Sequence, residues 1–179
     1  QSEYPRRLKQ CADAPVVLYS KGELDYNPKR TLAVVGTRNA TEYGKRVCEE
    51  LIKGLADKNI TIISGLAYGI DVYIHQLCLK YGVPTWGVLA HGLDTIYPAV
   101  HRGIAQKMTE KGGLISEFVP FTNPDRENFP KRNRIVAGLS DATLVIESKN
   151  RGGSLITAEL ANAYNRDVFA VPGNIHQEY

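Results

Sequence analysis

Cysteine is scarce and scattered in this chain. Its three residues, Cys11, Cys48 and Cys78, stand far apart and make no C-x-x-C pair. An odd number at such spacing speaks against a disulfide framework or a zinc site and fits a reducing cytoplasm. Long apolar runs are missing, since none approaches the ~20 residues a membrane helix needs, and no signal-peptide pattern is visible. The four histidines, His75, His91, His101 and His176, form neither H-x-x-x-H nor H-E-x-x-H, so no metal site is implied. There is no G-x-S-x-G, which argues against an α/β-hydrolase. There is no Walker A sequence and no G-x-G-x-x-G, so NAD or FAD binding is disfavoured and no cofactor is expected. Repeats, coiled-coil heptads and low-complexity tracts are absent, and no acid–base pair stands beside a nucleophile. Charge of either sign is not in large excess: the net charge is +3 over 179 residues. Any site for a polyanion must therefore be a local patch.

What the chain does have is ordinary globular composition, 43% hydrophobic and 23% charged, enough for one well-packed domain. It begins with Gln1 rather than Met, which reads as a piece of a longer protein. Residues 1–30 are punctuated by Pro5, Pro15, Gly22 and Pro28, with one short strand expected over Val16–Tyr19. They form a lead-in segment that packs on a main domain covering 31–179. From Thr31 short apolar, β-branched runs alternate with helical patterns. Strands are expected at Leu32–Val35, Thr61–Ser64, Thr85–Leu89, Gly113–Ser116, Thr143–Glu147 and Asp167–Val171. Helices are expected near Gly44–Asp57, Ile70–Tyr81, Val100–Lys111, Lys131–Leu139 and Ser154–Tyr164. Such alternation implies an α/β fold: a doubly wound, mostly parallel sheet with helices on both faces. Ligands of such sheets bind outside the carboxyl ends of the strands. Glycine and polar residues collect after all six expected strands, which points to one composite site.

Three stretches carry that expectation. Leu32–Gly44 reads as strand, turn and helix N-terminus, the arrangement that offers backbone N–H groups and a positive dipole end to an anion, with Thr37 and Arg38 where a phosphate would sit. The plainer alternative is that Gly36 and Gly44 serve only a tight turn and close packing. Asn128–Arg134 sets Lys131, Arg132 and Arg134 at the start of a helix, where a bound anion would relieve their repulsion from the dipole, and Phe129 beside them can stack on a base. Alternatively Asp125 and Glu127 neutralise the cluster and Phe129 is core. Gly152-Gly153-Ser154 resembles a phosphate-cradling turn, or else is a plain turn with Ser154 as a cap. Asp71 and His75, four apart on a helix, pair to pin the helix start more readily than they catalyse. Tyr43, Tyr97 and Pro98 read as packing residues.

Together these stretches resemble the DNA-processing protein A (DprA/Smf) family. The matching pieces are Val35–Arg38 with Tyr43-Gly44, Ser64–Asp71 with His75, Gly92–Pro98, Ile115–Glu117, Asn128–Ser140, Gly153–Ala158 and Val168–Gly173, in that order. The resemblance implies an extended Rossmann-like domain that binds single-stranded DNA and protects it. It implies loading of the RecA recombinase in natural transformation, homodimerisation, and no catalytic activity or metal. It also implies that Gly36, Thr37, Arg38, Gly65, Phe129, Lys131, Arg132, Asn133, Arg134, Gly153, Ser154 and Leu155 form the DNA-binding set. Members often carry small helical domains before and after this one, and this chain stops shortly after Pro172-Gly173-Asn174. A second reading comes from the lysine-decarboxylase-like phosphoribohydrolases and their P-G-G-x-G-T-x-x-E motif. Gly152, Gly153 and Glu159 fall in its register, while Arg151 and Leu155 replace the proline and the third glycine.

Overall fold

The run Thr31–Val35 alternates its side chains between two cores, and this decides the layering. Ala33 and Val35 face one apolar cluster and Val34 the other, all three buried. In a computed structural model of the chain, which describes residues 4–173, that run is the second strand of a seven-stranded sheet. The elements in chain order are α1 (Arg6–Lys9), β1 (Tyr19–Gly22), β2 (Thr31–Val35), α2 (Glu42–Leu55), β3 (Thr61–Ser64), α3 (Ile70–Tyr81) and β4 (Thr85–Val88). A 3-10 turn (Ala99–His101) then leads into α4 (Arg102–Met108), β5 (Gly112–Ser116), α5 (Asn128–Gly138), β6 (Ala142–Val145), α6 (Gly153–Ala163) and β7 (Asp167–Ala170). Asn174 and His176 lie outside the described residues.

The strand order is β1-β5-β4-β3-β2-β6-β7, parallel throughout except that β1 runs antiparallel to β5. The α/β, doubly wound and mostly parallel architecture expected from the sequence is the one observed. Ile52 of α2 and Ile70, Ile74 and Leu77 of α3 pack with Ile62 on one face. Leu8, Ile135, Val136, Leu139 and Ala158 cover the other with Ile63 and Trp86. Each fully buried Ile or Leu contributes about 1.5–3 kcal/mol relative to exposure, so these two faces carry most of the fold's stability. Cys11, Cys48 and Cys78 are free and buried, and burial pushes the Cys48 and Cys78 thiols up to about 12.

Most boundaries shift by a few residues from expectation, and two of the shifts have identifiable reasons. The first strand is Tyr19–Gly22 rather than Val16–Tyr19. Its pairing register sets Tyr19 opposite Ser116, the last residue of β5, so Val16 and Val17 have no partner strand and stay exposed. Helix α5 begins at Asn128 rather than Lys131. Pro130 therefore sits in its first turn, where a missing N–H costs nothing.

The sheet changes winding direction between β2 and β6. From β2 the chain proceeds outward through β3, β4 and β5. It then crosses back to β6 on the other side and continues outward to β7. Adjacent strand ends with diverging connections leave a crevice at their carboxyl edge, and Val35 and Val145 are those ends.

Candidate nucleic-acid interface

A cavity of about 650 Å³ opens at this crevice. The turn after β2 supplies Gly36, Thr37, Arg38 and Asn39. The turn after β3 supplies Gly65 and Ala67, and α5 with its approach supplies Pro124, Arg126, Phe129, Arg132 and Asn133. The turn after β6 and the start of α6 supply Ser148, Lys149, Arg151, Gly152, Gly153 and Ser154. Five cations (Arg38, Arg126, Arg132, Lys149 and Arg151) line it against one carboxylate, Asp71. This patch is more basic than the chain as a whole, whose net charge is +3. Arg38, Arg126 and Arg151 are exposed.

Each wall is locally determined. Thr37 is pinned from both sides: its N–H donates to the Glu147 carbonyl at 2.7 Å and its own carbonyl accepts from Ile70 N–H at 3.1 Å. Gly36 lies so close to α3 that a Cβ there would stand 2.5 Å from Ile70 Cγ1. Arg38 is left projecting, with its guanidinium carbon 5.6 Å from the centre of the Phe129 ring. Phe129 in turn stands 6.1 Å from the half-exposed Tyr97 ring. One cation and two aromatic rings thus follow one another along one side, the combination that holds phosphates and stacked bases of single strands. Tyr97, read from sequence as packing, is part of this wall.

Beneath them lie two buried charged residues. Arg132 donates to the Gly65 carbonyl at 2.7 Å and to the Val88 carbonyl, and Asp71 stands beside it. A side chain on Gly65 would meet both, at 2.5 Å from Asp71 Oδ2 and 2.6 Å from an Arg132 nitrogen. Burial pushes the Asp71 carboxyl above its ordinary range against the pull of Arg132, and burial likewise lowers the Arg132 guanidinium. Arg132 is a positioning cation that ties α5 to the ends of β3 and β4. It passes this order on: its Nε donates to Asn133 Oδ1 at 3.2 Å, and Asn133 Nδ2 donates to the Gly153 carbonyl at 3.3 Å. The buried His75 bonds Thr85 Oγ1 at 2.7 Å through Nδ1, not Asp71 as its spacing had indicated, and burial holds its pKa down to about 3.

The two helix starts named in the sequence differ from expectation. The α2 N-terminus already holds an anion. The Glu147 carboxylate accepts from Thr41 N–H at 3.0 Å and from the Thr41 hydroxyl, while Thr41 Oγ1 accepts from Gly44 N–H at 3.1 Å. Gly44 has no Cβ because that atom would collide with the same carboxylate. The α6 start is uncapped: Gly152 offers no side chain, no acid lies in the first turn, and a Cβ on Gly153 would meet open space. Ser154 donates to Ser148 at 2.7 Å and so ties the turn instead of capping it.

Nine of the expected site residues line the cavity: Gly36, Thr37, Arg38, Gly65, Phe129, Arg132, Asn133, Gly153 and Ser154. Three do not. Arg134 points to the far side of α5, where it pairs with the Glu117 carboxylate and donates to the Asp13 carbonyl at 2.7 Å. Successive residues on a helix turn by about 100°, so Arg132 and Arg134 cannot share a face. Lys131 is exposed beside Glu127, 3.8 Å away. Leu155 lies outside the lining, half-buried. Glu159, the carboxylate of the nucleotide-cleaving reading, is exposed on α6 and also outside it. Arg126, Lys149 and Arg151 also line it although they stand outside the expected DNA-binding set; Lys149 and Arg151 precede the glycine turn, and a basic loop there is the signal in the sequence. Among the described residues no group of His, Cys, Asp and Glu is arranged to hold a metal, and no helix is long and apolar enough to cross a membrane.

Comparison with known proteins shows which family the chain resembles. The family model described as DNA recombination-mediator protein A matches residues 1–179. DNA processing protein DprA of Bacillus subtilis is 43% identical over 178 residues, covering 99% of this chain and 60% of that protein. The X-ray structure of DprA from Streptococcus pneumoniae superimposes with a TM-score of 0.91 at 38% identity, over 99% of this chain and 62% of that one. A structure of DNA processing protein A from Helicobacter pylori, described for its single-stranded DNA binding mode, gives a TM-score of 0.90 at 29% identity, over 99% of this chain and 81% of that one. The chain spans about half the length of the curated relatives it matches.

Proposed function

This chain belongs to the DNA recombination-mediator protein A family, and on that footing we propose that its cavity binds single-stranded DNA. The observation that supports this most is the composition of the lining: five cations against one buried carboxylate, with Phe129 and Tyr97 set among them. Arg38, Arg126 and Arg151 take phosphates from solvent-facing positions, and the open N–H groups at the start of α6 take one more. Phe129 and Tyr97 stack on bases, a mode that is indifferent to sequence. A duplex keeps its bases paired and inside, so these rings favour the single strand.

The same family likeness supports a wider proposal. The strand held here is protected and passed to RecA recombinase during natural transformation, in the cytoplasm, by a homodimer with no catalytic step of its own. Purified RecA retained on the immobilised full-length protein, together with a dimer mass in sedimentation, checks that part. The nucleotide-cleaving alternative lacks support because the lining carries no carboxylate but Asp71, which is fully buried beside Arg132.

Fluorescence anisotropy with single- and double-stranded oligonucleotides of one length tests the proposal. Single strands are expected to bind at least tenfold tighter, with affinity falling steeply as salt rises. Equal affinity for both forms, or binding indifferent to salt, contradicts it.

A further inference from the structure

The loop from β5 to α5 carries an unusual residue. Phe121 is 85% exposed and has a φ of 67°, the left-handed region that a bulky side chain avoids. The surroundings hold it there. Asp94 Oδ1 accepts the Phe121 N–H at 2.7 Å, and Thr122 Oγ1 donates to the Val119 carbonyl at 2.7 Å. Gly92 N–H donates to the Thr122 carbonyl at 3.1 Å, and a Cβ on Gly92 would stand 3.0 Å from Phe121 N. A strained backbone fixed by several neighbours, whose product is an aromatic ring turned to solvent, is the pattern of a ligand clamp. Its place is also specific. Three residues on, Pro124 lines the cavity, as does Arg126. Gly92 follows His91, whose Nε2 accepts the Tyr97 N–H at 3.3 Å, and Tyr97 also lines the cavity. Phe121 therefore sits on the segment that runs into this rim, three residues before Pro124 and five before the cation Arg126, with its backbone held against the turn that leads to Tyr97.

We propose that Phe121 is a second stacking platform, which takes an unpaired base of the strand as it leaves the cavity past Tyr97. The bound strand is then longer than the cavity itself, with Arg126 neutralising a phosphate between the two aromatic stations. This rests on the cavity's holding single-stranded DNA.

The test compares an oligo-dT of about four nucleotides with one of about sixteen, the span of known single-strand sites, on the wild type, Phe121→Ala, Phe121→Gly and Phe121→Trp. Phe121→Ala and Phe121→Gly are expected to leave the short oligonucleotide unchanged and weaken the long one about tenfold. Glycine is free of the φ strain, so its thermal midpoint stays at or above that of the wild type while affinity is lost, which separates binding from folding. Phe121→Trp keeps the affinity, and its fluorescence is quenched by the long oligonucleotide but not the short one; Trp86 is buried and supplies a constant background. An unchanged affinity of Phe121→Ala and Phe121→Gly for the long strand overturns the platform and leaves the cavity reading standing. So does a loss confined to self-association, read by sedimentation. No binding of either length by the wild type overturns both.

Discussion

Two helices begin near the same crevice and treat an anion in opposite ways. At α2 the fold supplies its own: the Glu147 carboxylate meets Thr41, and Gly44 leaves the space it needs. At α6 it supplies none, and the Gly152-Gly153 turn faces the basic cavity without a cap or an acid. Both helices carry the positive end of a backbone dipole there. The first uses it for stability, because a buried carboxylate on the Thr41 N–H and hydroxyl fastens the turn after β6 to the turn after β2. The second leaves it uncapped beside the cavity. A strand–turn–helix pattern is thus half the information; where the nearest carboxylate falls is the other half.

That contrast can be broken from either side. The largest effect is expected at the saturated end. Glu147→Ala strands the Thr41 donors and should cost about 2–3 kcal/mol of folding stability, read by denaturant titration, while DNA affinity of the folded fraction holds. A variant as stable as the wild type means that Glu147 is not the anion α2 depends on. Next comes Arg134→Ala, which leaves the Glu117 carboxylate, mostly buried, without its cation. It is expected to lose about 1–3 kcal/mol with affinity for a single strand unchanged. Weakened binding without destabilisation would return Arg134 to the DNA-binding set.

The open end offers a cleaner experiment. Gly153 is the first residue of α6, where proline fits a helix without cost, and Gly152 before it is extended (ψ 148°) as proline requires. Gly153→Pro deletes one N–H and adds a ring, for whose bulk Gly153→Ala, with a Cβ that meets open space, is the control. The proline variant should keep the thermal midpoint and lower single-strand affinity about tenfold, the order expected for a hydrogen bond to a charged group. Unchanged affinity would show that the start of α6 touches no phosphate. Asn133→Ala acts through its bond to the Gly153 carbonyl and is expected to give a smaller loss, about threefold, of the order of one neutral hydrogen bond, with the salt dependence unaltered.

The same contrast explains how far the sequence could be read. The parallel strands were legible because short β-branched runs between glycines have few other uses, and the crevice followed from their alternation with helices. The strand at the edge was not, since its position depends on register against β5, a distant segment. Within Lys131–Arg134 charge alone does not distinguish inward from outward. Spacing does: Arg132 is in helical phase with Ile135, Val136 and Leu139, all buried, and Arg134 is not. Glu147 carried no local signal at all, because the helix start it serves is more than a hundred residues away in the chain.

The most direct measurement is the slope of log affinity against log salt for a single-stranded oligonucleotide, taken on the wild type, Arg38→Ala and Arg134→Ala. Each phosphate neutralised on a single strand contributes about 0.7 to that slope. Arg38→Ala is predicted to flatten it by about that amount while Arg134→Ala leaves it unchanged. The reverse, or no change in either, would contradict a basic cavity at the β2–β6 crevice as the seat of DNA binding.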